Sequence, residues 1–172
     1  MIPFPPPLRL RILQNLTKTL EQTVYQYDPN VPPQTLEGAV FRGRVIYGDD
    51  DPEVLLSILE APIPVEQVGS APDSTASTGD WELLLQGFVQ DDFENPTDPA
   101  HYLMAAAKVR LAYEKARNRD FDILGLGNHV TDLRFGAGVV RPPDEISSKA
   151  YFWLNITLEI VEDLSKPYEI NL

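Results

Sequence analysis

Ala150 to Val161 reads Ala-Tyr-Phe-Trp-Leu-Asn-Ile-Thr-Leu-Glu-Ile-Val, and this run decides how the chain is read. Its even positions, Ala150, Phe152, Leu154, Ile156, Leu158 and Ile160, are all apolar. Its odd positions, Tyr151, Trp153, Asn155, Thr157 and Glu159, are polar or amphipathic, with Val161 apart. Side chains alternate across a strand, so the pattern predicts a long strand with one face in a core. The other face is left for water or a partner. No Gly or Pro interrupts the run.

Outward from it, Val130 to Phe135 predicts a short strand that pairs with the last as a hairpin-like unit, across a loop from Gly136 to Lys149 containing Pro142-Pro143. Asp98-Pro99 has the chemistry of an N-cap followed by proline in the first helical turn. A helix is expected from there to about Asn118, with Tyr102, Ala106, Val109, Tyr113 and Ala116 as the stripe against the sheet. Arg119 to Asn128 connects it onward, and Leu164 to Leu172 reads as a tail. Before the helix, Asp91 to Pro96 is an acidic loop, and Asp80 to Val89 is a strand apolar on both faces, expected to be central. Pro62 to Gly79 carries three prolines and a Ser/Thr/Ala/Asp-rich tract, which predicts a mobile loop.

The N-terminal third gives a Pro-rich lead-in, residues 1–7, then a helical period. Leu8, Ile12, Leu16, Leu20 and Val24 recur at every fourth position, so a helix is predicted from Leu8 to about Tyr25. Tyr27 to Gly38, with Asp-Pro-Asn and Pro-Pro, is a loop. Ala39 to Tyr47 and Val54 to Glu60 read as two strands joined by a turn at Gly48 to Pro52. Phe41, Val45 and Tyr47 are expected on one face of the first, Arg42 and Arg44 on the other.

Helix, two strands, loop, strand, helix and two strands have too few helices for a doubly wound parallel sheet. The expected class is α+β, a single domain of 172 residues with a mostly antiparallel sheet and two helices packed on it. The absence of cysteine excludes disulfides, thiolate metal sites and a thiol nucleophile. No run approaches the roughly 20 apolar residues that cross a bilayer. Met1 to Pro7 lacks the basic and apolar regions of a signal peptide, so a soluble chain made in the cytoplasm is expected. The net charge of −12 argues against wrapping nucleic acid, which takes clustered Lys and Arg.

Tyr47-Gly48-Asp49-Asp50 resembles the metal-binding turn of polymerase palms, and paired carboxylates on a hairpin can hold Mg²⁺. Such a site needs a further carboxylate and basic residues for its substrate. Asp-Asp-Asp-Pro is also an ordinary turn sequence. His101 and His129 have no partner at ligand spacing, and no nucleophile elbow, P-loop or dinucleotide fingerprint is present. The chain is expected not to be an enzyme and to need no cofactor.

Several stretches are similar to bacteriophage tail terminator, or tail-completion, proteins. They are Phe41 to Pro52 with Leu56 to Glu60, Trp81 to Phe88, Asn95 to Ala100, and Phe152 to Ile160. The resemblance spans Leu8 to Tyr168 and rests on order and phrasing, not on reactive groups. It implies a structural virion protein, assembled in the host cytoplasm, that forms a hexameric ring of identical subunits. The ring caps the tail tube protein, ends its polymerisation and offers the surface that joins head-tail connector (neck) proteins. DNA passes through its lumen without specific binding, which an acidic chain would favour. No membrane contact is implied.

Within that reading, Arg42 and Arg44 are candidates for ion pairs between subunits, with Asp49, Asp50 and Asp51 or with Asp91 to Glu94 as the acidic side. Solvated strand arginines are the plain alternative. Tyr151 and Trp153 are candidates for a subunit or tube contact, against simple packing within the chain. The loops Pro62 to Gly79 and Gly136 to Asp144 are expected to order on neighbouring rings. Competing readings are a head-completion or stopper protein of the same neck, a ligand-binding α+β domain with a deep apolar pocket, and a metal enzyme using Asp49 and Asp50.

Overall fold

The computed structural model of the chain describes residues 4–61, 69–70, 74–118 and 122–169. In chain order its elements begin with α1 (Leu8–Glu21), β1 (Val24–Tyr25), β2 (Gln34–Thr35), β3 (Val40–Arg42), β4 (Leu55–Glu60) and β5 (Gly69–Ser70). There follow β6 (Ala76–Val89), α2 (Asp98–Asn118), two short 3-10 turns, β7 (Val130–Phe135), β8 (Val139–Arg141) and β9 (Ala150–Asp163).

The strand predicted from Ala150 to Val161 is the axis of the sheet. β9 pairs antiparallel with β6 along its whole length, from Ala76 opposite Asp163 to Val89 opposite Ala150. β4 lies antiparallel beyond β6, with β3 outside it, while β7 and β8 follow one another along the far edge of β9. All six even positions from Ala150 to Ile160 are fully buried. They join Leu83 and Leu85 of β6 and Leu56 and Ile58 of β4 on one face, under both helices. The class is α+β, a mostly antiparallel sheet with two helices on it.

The core is close-packed where β6 and β9 pair under the helices. Gly87 faces Phe152 across the strands, and a methyl group at Gly87 would overlap the Phe152 ring. The ring fills the space that a side chain at Gly87 would need.

Several boundaries differ from the sequence expectation. α1 stops at Glu21, and Val24, expected on its buried stripe, is an exposed residue of the two-residue strand β1. β6 begins at Ala76, so Ala76 to Gly79 is strand, not loop; residues 62–68 and 71–73 lie outside the described residues. The loop before β9 contains β8.

The first two strands do not form a hairpin. β3 ends at Arg42 because Gly43 takes a positive φ of 66° and its N–H donates to the Ile58 carbonyl at 2.9 Å. The chain then loops through residues 43–54 and returns as β4 parallel to β3, Val40 opposite Leu56. About a dozen residues is the least that a parallel return requires. Val45 and Ile46, expected within a strand, are exposed on this loop.

α2 is turned the other way from the sequence reading. Ala100, Leu103, Met104, Ala107 and Leu111 are buried against the sheet, while Tyr102, Val109 and Tyr113 are exposed. Apolar residues run around much of this helix, so periodicity alone did not choose a face. The Leu and Met side fills the core without polar atoms. The tyrosines keep their hydroxyls toward water.

Candidate functional site

Leu55, Phe88 and Tyr151 are cross-strand neighbours, at the start of β4, the end of β6 and the start of β9. Three loops, residues 43–54, 90–97 and 142–149, therefore gather at one end of the sheet. Beneath them, on the face away from the helices, runs an aromatic ladder. Its rings are Phe41, Tyr47, Phe88, Tyr151 and Trp153, with successive centroids 5.6, 5.6, 6.0 and 5.7 Å apart. The Lys149 ammonium ties two of the loops together by donating to the Glu53 carbonyl at 3.0 Å.

Each loop is organised by one carboxylate. Asp51 accepts from the Gly48 N–H and from Arg44, each at 2.7 Å. Asp92 accepts from the Asn95 and Glu94 N–H groups at 2.8 and 2.9 Å and from the Tyr27 hydroxyl at 3.0 Å. Asp144 accepts from the Tyr151 hydroxyl at 2.7 Å and from the Ile146 N–H at 2.8 Å. These bonds favour the charged form. All three carboxyls are held below the usual carboxylate range, chiefly by the Gly48 N–H for Asp51, the Asn95 N–H for Asp92 and the Tyr151 hydroxyl for Asp144.

With those three turned inward, the loops show water an apolar tip and further acids. Ile46 is 80% exposed, Phe93 99% and Ile146 66%. Asp49, Asp50, Glu53, Glu94 and Glu145 are exposed around them. Side chains bonded into a turn and side chains displayed by it differ by only a residue or two in sequence.

The residues singled out from sequence fall into three groups. Arg42 is exposed at the end of β3, and Asp49 and Asp50 are exposed at the loop tip. Arg44 and Asp51 pair with each other inside one chain, and the Arg44 guanidinium also stands over the Phe41 and Tyr47 rings at 5.0 and 4.7 Å. Their ion pair is a fixture of the loop itself. Tyr151, expected on an open face, is 1% exposed: β8 and the 142–149 loop fold against the start of β9, and its hydroxyl is spent on Asp144. Its neighbour Trp153 remains partly open.

Asp51 is thus turned into its own loop, away from a metal shared with Asp49 and Asp50. Among the described residues no group of three or more His, Asp or Glu is placed to hold a metal ion. His129 Nδ1 donates to the Val161 carbonyl at 2.9 Å, a structural bond beside β9. No helix among the described residues is long and apolar enough to cross a membrane.

A second surface is made of residues that the sequence reading placed against the sheet. The outer side of α2 carries Tyr102, Val109 and Tyr113, and a shallow groove beside it is lined by Gln22, Val24, Ala106, Val109, Arg110 and Tyr113. Arg110 and Arg117 stand over the Tyr113 ring at 5.3 and 6.0 Å, and Lys108 and Lys115 lie on the same helix. The signal that could have turned it outward is the Lys and Arg that flank its tyrosines.

No protein-family model and no curated protein matches the chain.

Proposed function

We propose that the chain is a ring-forming assembly protein of a tailed bacteriophage, which caps the tail tube, ends its polymerisation and offers the surface that joins the head. The observation that carries this reading is where the stretches similar to tail terminators lie. Phe41 to Pro52, Leu56 to Glu60, Trp81 to Phe88 and Phe152 to Ile160 form β3 with its loop and the neighbouring strands β4, β6 and β9. Asn95 to Ala100 joins the loop end to α2. The similar stretches thus fall largely on neighbouring strands of one sheet.

Two further features support it. Among the described residues the sheet has helices on one face only, leaving Trp153 and the half-buried Leu59, Leu84 and Gln86 on a face able to meet a tube or a neighbour. The net charge of −12 suits a lumen through which DNA must slide. The first test is the mass of the purified protein across a concentration series, followed by electron microscopy with tail tubes. A cap at one end of each tube and shortened tubes are expected. Tubes of unchanged length with bare ends would refute the reading, and binding to a portal or adaptor ring instead would make the protein a stopper.

A further inference from the structure

The charges of this chain are segregated by layer. α1 and α2 together hold seven Lys and Arg against three Asp and Glu, a balance of +4. The rest of the chain carries −16, to make the overall −12. The apolar residues left in water divide the same way. Val109 and Tyr113 stand among the cations of α2; Ile46, Phe93 and Ile146 stand among the acids of the three loops.

We propose that these two surfaces are the two halves of one interface, the three-loop end of one copy docking on the outer side of α2 in the next. Charge complementarity names the occupant. A symmetric contact of either surface with itself would set like charges against each other, acids on acids or cations on cations. A contact between the two sets opposite charges together and covers both apolar sets. The loops project along the strands, whereas the outer stripe of α2 faces away from the sheet. Successive copies therefore turn relative to one another, as a head-to-tail ring requires. Phe93 is the knob of the contact, and the groove between Val24, Val109 and Tyr113 is its socket. Asp91 and Glu94 are the knob's neighbours in sequence; Arg110 lines the socket and Arg117 stands over its Tyr113 ring. The docking of each loop is prepared in advance, because Asp51, Asp92 and Asp144 already fix the loops by bonds within the chain.

This pairing deepens the self-assembly half of the proposed function and rests on it. The chain has no cysteine, so single cysteines report cleanly. Phe93→Cys and Val109→Cys alter exposed side chains and leave the core intact. Mixed and treated with a short bismaleimide, the two variants are expected to give a covalent dimer containing one of each, and neither alone gives one. Arg117→Glu on the Val109→Cys chain is expected to cut the product several-fold, and Glu94→Lys on the Phe93→Cys chain to restore it. Dimers of a single variant, or no product at any concentration with or without tail tubes, would overturn the pairing. Caps on tubes without the mixed cross-link leave the tail reading standing and remove this interface. The mixed cross-link in a ring that ignores tubes does the reverse.

Discussion

The two sides of α2 are both apolar, and only one is packed. Leu103, Ala107 and Leu111 lie wholly out of water against the sheet, while Tyr102, Val109 and Tyr113, on the same helix, stand in it. The buried side ends in a charged group, Glu114, which accepts the Leu124 N–H at 2.9 Å and pairs with Arg110. The exposed side is bordered by cations that reach over a tyrosine ring. Hydrophobicity therefore does not tell the core from a contact surface here. What separates them is the company each stripe keeps: aliphatic neighbours and satisfied polar groups inside, amphipathic rings and long cations outside.

The sharpest break of that comparison is Leu111→Ala, which opens a cavity on the packed side and should cost about 3 kcal/mol in urea unfolding. Val109→Ala, two residues away on the other side, is its control. Gly87→Ala probes the same core from the sheet: Phe152 must leave its place, at a cost of about 2–3 kcal/mol and a lower Tm. A Gly87→Ala protein as stable as its parent would mean that the core is looser than the strand register implies.

Glu114→Ala comes next, at about 2 kcal/mol. It strands the Leu124 N–H at a residue whose φ of 59° is held by Glu114 on one side and by Asn15, which donates to the Leu124 carbonyl at 2.8 Å, on the other. Hydrogen exchange at Leu124 should quicken in this variant more than at Leu103. Equal acceleration at both would assign the effect to the whole helix.

Acid acts on the loops. Asp51, Asp92 and Asp144 have folded pKa values below their unfolded ones, so the unfolded chain binds more protons as pH falls. Their stabilisation is complete above the unfolded carboxyl value of about 3.9 and is lost as pH drops through the lower folded values. The urea midpoint should rise with pH over that acid window and flatten above it. Asp144→Asn should remove part of the slope, and an unchanged slope would detach Asp144 from loop stability. The smallest effect is that of Val109→Ala, within about 0.5 kcal/mol of the parent. A larger loss would place Val109 in the core and erase the contrast.

How far the fold was legible follows from the same residues. β9 was legible because its even positions from Ala150 to Ile160 carry only apolar side chains and a strand has a period of two. β3 was not, since the Phe-Arg-Gly-Arg-Val-Ile-Tyr alternation continues through Gly43 although the backbone there turns to positive φ. The facing of α2 was hidden by apolar residues on both sides. In the loops, Asp marked the turns, but which Asp bonds inward depends on Arg44, Tyr27 and Tyr151, brought there by distant parts of the chain. That is why Asp51 and Tyr151 were read as surface groups.

The pairing of β6 with β9 also sets the order in which the molecule can be built. β6 emerges from the ribosome long before β9, with α2, β7 and β8 in between. Until then one edge of a fourteen-residue strand has no partner, and the shorter β4 and two-residue β5 cover only part of the other. Local contacts cannot close this sheet, so folding waits for the last strand and proceeds slowly for the chain's size. Synthesis of the C-terminal segment is thus the committed step. A chain truncated before Ala150 would lack not an appendage but the middle of its sheet, and would expose an edge that other chains can pair with.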